Sequence, residues 1–254
     1  MNIAVITGAS SGMGKDFVLQ LDKENEYDEI WVIARRRDRL EQLETRAQLR
    51  ILALDLTKEA SFQVYRTLLE ELKPNITTLV NAAGYGKFEP VEQTALEDAM
   101  GIIDLNCKAL VAMTQLSLPY MHEGAQIYNI GSLSSFQPVP YMNSYASSKA
   151  LVLSYSRALG CELRHRGIRV LCICPGWVET EFFDRAQEKD KHSVNYFNVV
   201  WKSADVVKKA IRDMKRGKDV SVLGFQVRAQ VLAVKLLPHN LVMSIWLNQQ
   251  GHKN

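Results

Sequence analysis

Residues 7–14 read Thr7-Gly8-Ala9-Ser10-Ser11-Gly12-Met13-Gly14 and follow directly on the apolar run Ile3–Thr7. Glycines here permit a tight turn and a close backbone approach to a ligand, and the N-terminus of the helix that follows attracts a pyrophosphate. Glycines also simply make turns, and the spacing G-x-x-x-G-x-G is not the commoner G-x-G-x-x-G. The position right after the first predicted strand nevertheless favours a dinucleotide-binding turn. The predicted cofactor contacts in this turn are Gly8, Ser10, Ser11, Gly12, Met13 and Gly14.

Short apolar runs alternate with longer helical patterns along most of the chain. Several runs lack polar alternation, as expected for strands covered on both faces of a parallel sheet. The alternation predicts an α/β fold with a single Rossmann-type, doubly wound parallel sheet of about seven strands, flanked by helices. The predicted strands are Ile3–Thr7, Ile30–Ala34, Arg50–Asp55, Thr78–Ala82, Gln126–Ser132, Arg169–Pro175 and Val220–Leu223. The predicted helices are Met13–Lys23, Asp38–Ala47, Glu59–Leu72, Leu96–His122, Ser144–Arg166 and Ala204–Arg216.

The composition is that of a folded protein and excludes several function classes. Of 254 residues, 47% are hydrophobic and 23% are charged, which excludes a disordered chain. The net charge is only +3, so the sequence does not indicate a nucleic-acid partner. No signal-like segment precedes the first strand, which predicts a cytoplasmic protein. The cysteines and histidines lack metal-ligand spacing, so we expect no bound metal and four buried, reduced thiols. These are Cys107, Cys161, Cys172 and Cys174.

The chain is predicted to form one domain with an appendage. A nucleotide-binding and catalytic Rossmann domain covers residues 1–225, and residues 226–254 form an apolar C-terminal extension. Charged residues and a proline interrupt the extension, so we do not expect it to span a bilayer. Packing on the domain or on a partner subunit is the favoured interpretation. The alternatives are enclosure of the substrate site and peripheral contact of Arg228, Lys235 and His239 with a membrane surface.

Three arginines, Arg35–Arg37, follow the second predicted strand. In Rossmann folds the carboxyl end of this strand lies beside the adenosine ribose, where an acidic residue commonly selects NAD. Guanidinium groups in that place suit the 2′-phosphate of NADP instead. The alternative is a solvated basic start of a helix, but the position favours NADP(H) over NAD(H), with Arg35 and Arg36 as contacts.

Tyr145 and Lys149 are four residues apart and share one face if their segment is helical. A free phenol has a pKa of about 10 and exchanges protons poorly at neutral pH, whereas a nearby ammonium lowers that pKa. Ser132 lies upstream at the end of the fifth predicted strand, where its hydroxyl can hold a carbonyl oxygen. A Tyr-x-x-x-Lys pair alone is a weak signal, because it is more often a helix surface.

Taken in order along the chain, these motifs resemble those of the short-chain dehydrogenase/reductase family. The resemblance covers Asn2 to about Leu223 and implies the strand order 3-2-1-4-5-6-7, whereas the C-terminal extension is unlike the carrier-protein reductase branch. It implies that Asp55 contacts the adenine, that Asn81 supports the cofactor turn and that Thr180 lies near the nicotinamide carboxamide. The matching residues are Thr7–Gly14, Asp55, Leu56, Asn81, Ala82, Ala83, Gly84, Asn106, Ser132, Tyr145, Lys149, Pro175, Gly176, Val178 and Thr180.

The resemblance implies an oxidoreductase that transfers a hydride between NADP(H) and a carbonyl or secondary alcohol. Tyr145 would be the general acid or base, Lys149 would lower the phenol pKa and hold the nicotinamide ribose, and both would contact the cofactor. Ser132 would orient the substrate oxygen, and Asn106 would organise a water link to Lys149. The alternatives are a 3-oxoacyl carrier-protein reductase-like enzyme and a catalytically silent NADP-sensing protein.

The long connection Phe182–Trp201 is predicted to be a functional lid. Its aromatic side chains would cover the nicotinamide and favour a bulky, apolar carbonyl or alcohol as the small-molecule substrate. Packing of the same side chains onto the core is an equally good interpretation. These side chains are Phe182, Phe183, Tyr196, Phe197 and Trp201. We also expect a homo-oligomer, a dimer or a tetramer, with contacts that differ from the usual ones because the C-terminus differs.

Overall fold

A parallel sheet of seven strands forms the centre of the fold. The computed structural model describes residues 1–24, 26–188, 190 and 192–252. Its strands are β1 Asn2–Thr7, β2 Glu29–Ala34, β3 Gln48–Ala53, β4 Asn75–Asn81, β5 Gln126–Ile130, β6 Arg169–Ile173, β7 Trp177–Glu179, β8 Val200–Lys202 and β9 Val220–Ser221. The sheet order is β3-β2-β1-β4-β5-β6-β9, with every neighbouring pair parallel. Since β9 is the seventh strand of this sheet along the chain, the predicted order and the α/β fold are confirmed.

Helices cover both faces of this sheet. The α-helices of the described residues are α1 Gly12–Leu21, α2 Arg37–Glu41, α3 Glu59–Leu72, α4 Leu96–Ile103, α5 Ala109–Ser117, α6 Asn143–Glu162, α7 Phe182–Ala186, α8 Ser203–Lys215, α9 Phe225–Leu236 and α10 His239–Gln249. In β1, Ala4 and Ile6 pack with α1 and α8, whereas Ile3 and Val5 pack with α3, α5 and α6. A strand buried on both faces produces this alternation.

The second helix is shorter than predicted. The pattern predicted a helix over Asp38–Ala47, but α2 ends at Glu41. Beyond it, the carboxylate of Asp22 accepts hydrogen bonds from the backbone N–H groups of Arg46 and Ala47. This long-range contact holds the chain in an irregular path that leads into β3.

The long helix predicted over Leu96–His122 is interrupted. A π-helical turn, Asp104–Lys108, separates α4 from α5, and a short 3-10 turn with Pro119 ends the segment. Proline removes a backbone donor and favours such an ending. π-helical turns often lie at functional sites, and this one carries Asn106.

Two short strands, the short helix α7 and two C-terminal helices were not predicted. β7 and β8 form a separate parallel pair, and the extension folds as α9 and α10. Lys189 and Lys191 of the predicted lid, and Lys253 and Asn254 of the extension, lie outside the described residues. In the part of the chain that the structure describes, no helix is both long and apolar enough to cross a membrane.

The cysteines only partly match the expectation. Cys107, Cys172 and Cys174 are buried free thiols, but Cys161 is exposed, so the expected burial is wrong for that residue. Cys161 lies near the C-terminal end of α6, whose buried positions are elsewhere on the helix. Within the described ranges, no group of three or more His, Cys, Asp or Glu side chains is arranged to hold a metal ion.

Candidate active site

A cavity of about 1030 Å³ lies along the carboxyl ends of the sheet strands. This is the edge at which open α/β sheets bind ligands. Of the residues predicted to be catalytic or to contact the cofactor, Asn81 and Asn106 do not line it. The others do: Gly8, Ser10, Ser11, Gly12, Met13, Gly14, Arg35, Arg36, Asp55, Leu56, Ala82, Ala83, Gly84, Ser132, Tyr145, Lys149, Pro175, Gly176, Val178 and Thr180.

The glycine turn is shaped by close backbone contacts. Gly8 has a φ of +68° and Gly12 a φ of +52°, a region that glycine enters without strain. The Gly8 N–H donates to the Ile33 carbonyl at 2.8 Å and ties the turn to β2. A Cβ on Gly14 would lie 2.3 Å from the Gly8 carbonyl oxygen. The close packing of α1 against the end of β1 therefore requires glycine at position 14.

Gly14→Ala is expected to lower the free energy of unfolding by about 1–3 kcal/mol, the usual effect of overpacking. The obstructing atom belongs to the backbone of Gly8, so it cannot move aside without distorting the turn. Gly160→Ala is the matched control, because Gly160 also lies in a helix and its added Cβ meets Val170 at an ordinary 3.4 Å. Urea denaturation should show a loss for Gly14→Ala and none for the control. Equal stability of the two variants would contradict this account of the turn.

Arg36 lies between the glycine turn and the segment that follows β7. One terminal nitrogen donates to Ser10 Oγ at 3.0 Å and to Ser11 Oγ at 2.9 Å, and the other donates to Glu181 at 2.8 Å. Arg39 donates to the same carboxylate. The hydrogen bonds from Arg36 and Arg39 lower the pKa of Glu181, which is therefore an anion at neutral pH. All five side chains lie on the cavity wall.

The neighbouring arginines divide between the cavity and the solvent. Arg35 lines the cavity with an exposed side chain, whereas Arg37 pairs with Glu41 at 2.9 Å on the outside of α2. Arg39 is a cavity residue that the sequence reasoning missed. The available signal was its place in the first turn of the predicted helix, just after the arginines Arg35–Arg37.

Asp55 lies just beyond β3 and is held by its own turn. Its Oδ1 accepts hydrogen bonds from the Thr57 N–H at 3.0 Å and from the Thr57 hydroxyl at 2.8 Å. Burial works against the charged form, but these hydrogen bonds prevail and lower the pKa of Asp55. Asp55 therefore gives the cavity wall beyond β3 a hydrogen-bond acceptor whose position is fixed by Thr57.

Asn81 stands behind the cavity wall. Its Nδ2 donates to Asn129 Oδ1 at 2.9 Å and to Thr114 Oγ1 at 3.1 Å, which joins the end of β4 to β5 and α5. The next residue, Ala82, does line the cavity, and its N–H donates to the Thr7 hydroxyl at 3.0 Å. Asn81 and Thr7 thus hold the strand end that forms the wall.

Asn106 does not line the cavity but holds residues around it in place. Its Oδ1 accepts the Tyr85 N–H at 3.0 Å, and its Nδ2 donates to the Tyr85 carbonyl at 3.0 Å and to Ser148 Oγ at 2.9 Å. Ser148 in turn donates to the Tyr145 carbonyl at 2.7 Å. These contacts link the loop after β4 to the first turns of α6. The water link from Asn106 to Lys149 stays a prediction.

Tyr145, Ser132 and Lys149 meet at the inner end of the cavity. Lys149 lies one turn after Tyr145 on α6, with its Nζ 5.7 Å from the Tyr145 ring centroid. Burial raises the pKa of Tyr145 to about 12, and a hydrogen bond with Ser132 opposes this only in part. The direction is opposite to the lowering expected from the sequence, because removal of the phenol from water is the largest influence on its pKa.

Lys149 is buried as well. Its Nζ donates to the Ile130 carbonyl at 2.7 Å, and burial lowers its pKa to about 8. The thiols of Cys172, Cys107 and Cys174 oppose this lowering to a smaller extent. The sulfur atoms of Cys172 and Cys174 are 3.6 Å apart. A cation is thus held beside Tyr145 by a backbone carbonyl.

An aromatic cluster covers Tyr145. The Phe182 ring lies 5.2 Å from the Tyr145 ring and 5.7 Å from Phe88, measured between centroids. Of the aromatic side chains predicted to form either a lid or part of the core, some line the cavity and others pack onto the core. Phe182, Phe183 and Tyr196 line the cavity, Phe197 packs behind them, and Trp201 packs onto the main core.

The family of the protein follows from its match to a known family model. A model described as short chain dehydrogenase matches residues 2–191, well over half of the chain. The chain belongs to the short-chain dehydrogenase/reductase family. It is therefore an oxidoreductase of a family whose fold binds a nicotinamide cofactor, and the expected membership is confirmed.

Named relatives of this short-chain dehydrogenase/reductase differ in their substrates. Sulfoacetaldehyde reductase 2 of Chromohalobacter salexigens is 35% identical over 192 residues, which cover 71% of this chain and 74% of that protein. Very-long-chain 3-oxoacyl-CoA reductase of Pyrenophora tritici-repentis is 32% identical over 67% of this chain and 53% of its own length, about half. A solved short-chain dehydrogenase from Sphingobium yanoikuyae in complex with NADPH is 27% identical, with a TM-score of 0.80 over 95% of each chain.

The C-terminal extension of this short-chain dehydrogenase/reductase adds a wall to the cavity outside the residues that the family model matches. The Trp246 Nε1 donates to the Pro140 carbonyl at 3.1 Å, and its ring stacks on Trp177 with centroids 6.4 Å apart. Gln230 and Gln249 also line the cavity. The extension therefore packs on the domain and encloses the cavity at once. Its sequence carries no motif that predicts these contacts.

Proposed function

We propose that this protein is an NADP(H)-dependent oxidoreductase that transfers a hydride between the nicotinamide and a carbonyl or secondary alcohol. One observation carries the proposal: a single continuous cavity joins the arginines and the glycine turn to Tyr145, Ser132 and Lys149. NADP(H) has its 2′-phosphate at the adenosine end, its pyrophosphate in the middle and its reactive nicotinamide ring at the other end. The cavity offers an anion-binding end and a proton-transfer end in the same order.

The residues present fit a phosphorylated dinucleotide. The glycine turn lines the cavity at the N-terminus of α1, where helix N–H groups favour an anion such as a pyrophosphate. Ser11 is the N-cap of α1, and its side chain makes no capping hydrogen bond that would occupy those groups. Arg36 and Arg39 would supply the charge for the 2′-phosphate.

The proposed reaction uses three side chains around the reacting oxygen. The bound cofactor supplies or accepts the hydride. Tyr145 gives its proton to the carbonyl oxygen in reduction and takes it back in oxidation. The Ser132 hydroxyl accepts the Ser134 N–H at 3.1 Å, and with substrate bound it would donate its own proton to the same oxygen.

The protonation states favour reduction. With a pKa of about 12, Tyr145 keeps its proton at neutral pH and is ready to donate it to a carbonyl. Lys149, with a pKa of about 8, is largely an ammonium at pH 7 and would hold the nicotinamide ribose and orient the phenol. General acid catalysis of this kind contributes about 10²–10⁴-fold to the rate.

The cavity walls near Tyr145 favour an uncharged substrate with a bulky, apolar body. Pockets of this composition bind apolar groups and orient them through a few polar contacts. The apolar walls are Val139, Met142, Trp177, Phe183 and Trp246, and the amide groups are those of Gln137, Gln230 and Gln249. None of these eight side chains is a cation that would pair with an anionic carbonyl compound such as sulfoacetaldehyde. Of the cations elsewhere on the cavity wall, Lys149 is held by the Ile130 carbonyl and Arg185 lies over the Tyr85 ring.

An NADPH-oxidation screen tests the reaction. The panel holds bulky ketones, aldehydes, ketosteroids, 3-oxoacyl thioesters and sulfoacetaldehyde, and loss of absorbance by the reduced nicotinamide is the readout. We expect turnover with bulky uncharged carbonyl compounds and little with sulfoacetaldehyde. NADPH consumption with none of these compounds would contradict the enzymatic proposal and favour the nucleotide-sensing alternative.

Arg36→Ala is expected to weaken NADPH binding about 10- to 100-fold, because a hydrogen bond to a charged group contributes about 1.5–3 kcal/mol. NADH binding should weaken much less, since NADH has no 2′-phosphate. Fluorescence titration of each dinucleotide measures both effects. Arg37→Ala is the matched control, because Arg37 pairs with Glu41 on the outside of α2. Equal losses for the two dinucleotides would show that Arg36 does not recognise the phosphate.

A further inference from the structure

Glu181 links the adenosine end of the cavity to the segment that covers Tyr145. Its carboxylate accepts hydrogen bonds from Arg36 at 2.8 Å and from Arg39. It follows Thr180 directly and precedes Phe182, the first residue of α7. Two ion pairs between cavity-lining side chains therefore connect the start of α2 to this segment.

The ion pairs use the nitrogen atoms that a phosphate would need. A guanidinium binds a phosphate best through two parallel N–H groups. In Arg36, one terminal nitrogen is engaged by Ser10 and Ser11 and the other by Glu181. The carboxylate is thus an internal anion on the surface where the 2′-phosphate would bind.

Glu181 is also close to the reacting end of the cavity. The next residue, Phe182, packs against the Tyr145 ring with centroids 5.2 Å apart. On the other side, the Thr180 methyl would lie 3.0 Å from a Cβ on Gly12, so it is in close contact with the glycine turn. A change at Glu181 therefore acts on a segment in contact with both ends of the cofactor site.

We propose that the Glu181 carboxylate and the 2′-phosphate of NADP(H) compete for Arg36 and Arg39, so that NADPH releases Glu181 whereas NADH leaves it paired. This inference rests on the proposed preference for NADP(H). An internal competitor lowers the apparent affinity for the ligand in proportion to the fraction of time it occupies the site. It also makes the position of α7 depend on which dinucleotide is bound.

A contrasting role for Glu181 leads to the opposite result. If Glu181 were a strap that closes over any bound dinucleotide, its removal would weaken NADPH and NADH equally. If it competes with the phosphate, its removal strengthens NADPH binding and leaves NADH binding unchanged. The sign of the change in NADPH affinity therefore separates the two roles.

Glu181→Gln is the test variant, and Glu41→Gln is its matched control. Glu41 also pairs with an arginine of α2, Arg37, but neither residue lines the cavity. Isothermal titration measures the affinity for NADPH, for NADH and for adenosine 2′,5′-bisphosphate, which carries the phosphate without the nicotinamide. We expect Glu181→Gln to bind NADPH and the bisphosphate about three- to tenfold more tightly, from the loss of two partly exposed ion pairs. NADH binding, and all affinities of the control, should stay as in the wild type.

Hydrogen–deuterium exchange supplies a second readout. In the wild type, the exchange of amides in α7 should differ between the NADPH-bound and the NADH-bound protein. In Glu181→Gln the two dinucleotides should give the same exchange. A wild type with identical exchange in both complexes, or a difference that persists in the variant, would overturn the proposal.

The two proposals fail in distinguishable ways. A wild type that binds NADPH no more tightly than NADH contradicts the proposed cofactor preference and this inference with it. A wild type that prefers NADPH, together with a Glu181→Gln variant whose NADPH affinity is unchanged or reduced, overturns this inference alone. The Glu41→Gln control ensures that a gain in affinity is not a general effect of removing one negative charge.

Discussion

Tyr145→Phe should lower kcat by about 10²–10⁴-fold, the usual contribution of a general acid. The variant keeps the ring that packs against Phe182 and loses only the hydroxyl, so the aromatic cluster over the cavity should remain intact. NADPH affinity should therefore stay close to that of the wild type. Steady-state kinetics with a carbonyl compound from the screen, together with fluorescence titration of NADPH, measures the two quantities separately.

Tyr141→Phe is the control for this experiment. Tyr141 lies four residues before Tyr145, just ahead of α6. Its ring packs against His252, and it does not line the cavity. The control should retain wild-type turnover. Full activity of Tyr145→Phe would reject the proposed proton transfer, and a parallel loss in both variants would show that the effect is structural.

The rate of reduction should fall at alkaline pH. Lys149 has a pKa of about 8 and Tyr145 one of about 12, so on raising the pH the ammonium of Lys149 is lost first, while the phenol keeps its proton. Below this range both groups are protonated and the rate should be level. Above about pH 8, kcat/KM for reduction should fall by about tenfold for each pH unit.

A pH series of kcat/KM at saturating NADPH measures this dependence, with circular dichroism at each pH to show that the protein stays folded. The profile reports the groups of the enzyme before substrate binds. A kcat/KM that is constant from pH 7 to 10 would contradict the role assigned to the Lys149 ammonium. A fall that begins only where the ellipticity changes would reflect unfolding.

Much of the fold could be predicted because it depends on local patterns. The apolar runs predicted the strands, and the glycine turn predicted where the first strand meets its helix. The strand order followed from the family resemblance and is confirmed. The short α2 was missed because its end depends on Asp22, whose carboxylate reaches backbone groups 24 and 25 residues away. Such a contact leaves no periodic signal in the sequence.

The site could be predicted where a motif marks it and not where distant segments meet. Motifs indicated Ser132 and Tyr145, and both line the cavity. Trp246 was missed as a cavity residue because its place depends on how the C-terminal helices fold back. The pKa of Tyr145 was expected to fall, but it rises, because burial of the phenol is the largest influence on it and is a property of the whole fold.

The proposed hydride transfer is tested most directly with NADPH that carries deuterium at C4 of the nicotinamide. A carbonyl compound that the protein reduces is incubated with each C4-deuterated epimer, and the product is analysed by mass spectrometry. The account predicts one deuterium on the carbon that bears the new hydroxyl, from one epimer only, because the cavity holds the ring in one orientation. A product without deuterium from either epimer, or labelled equally by both, would contradict hydride transfer at this site.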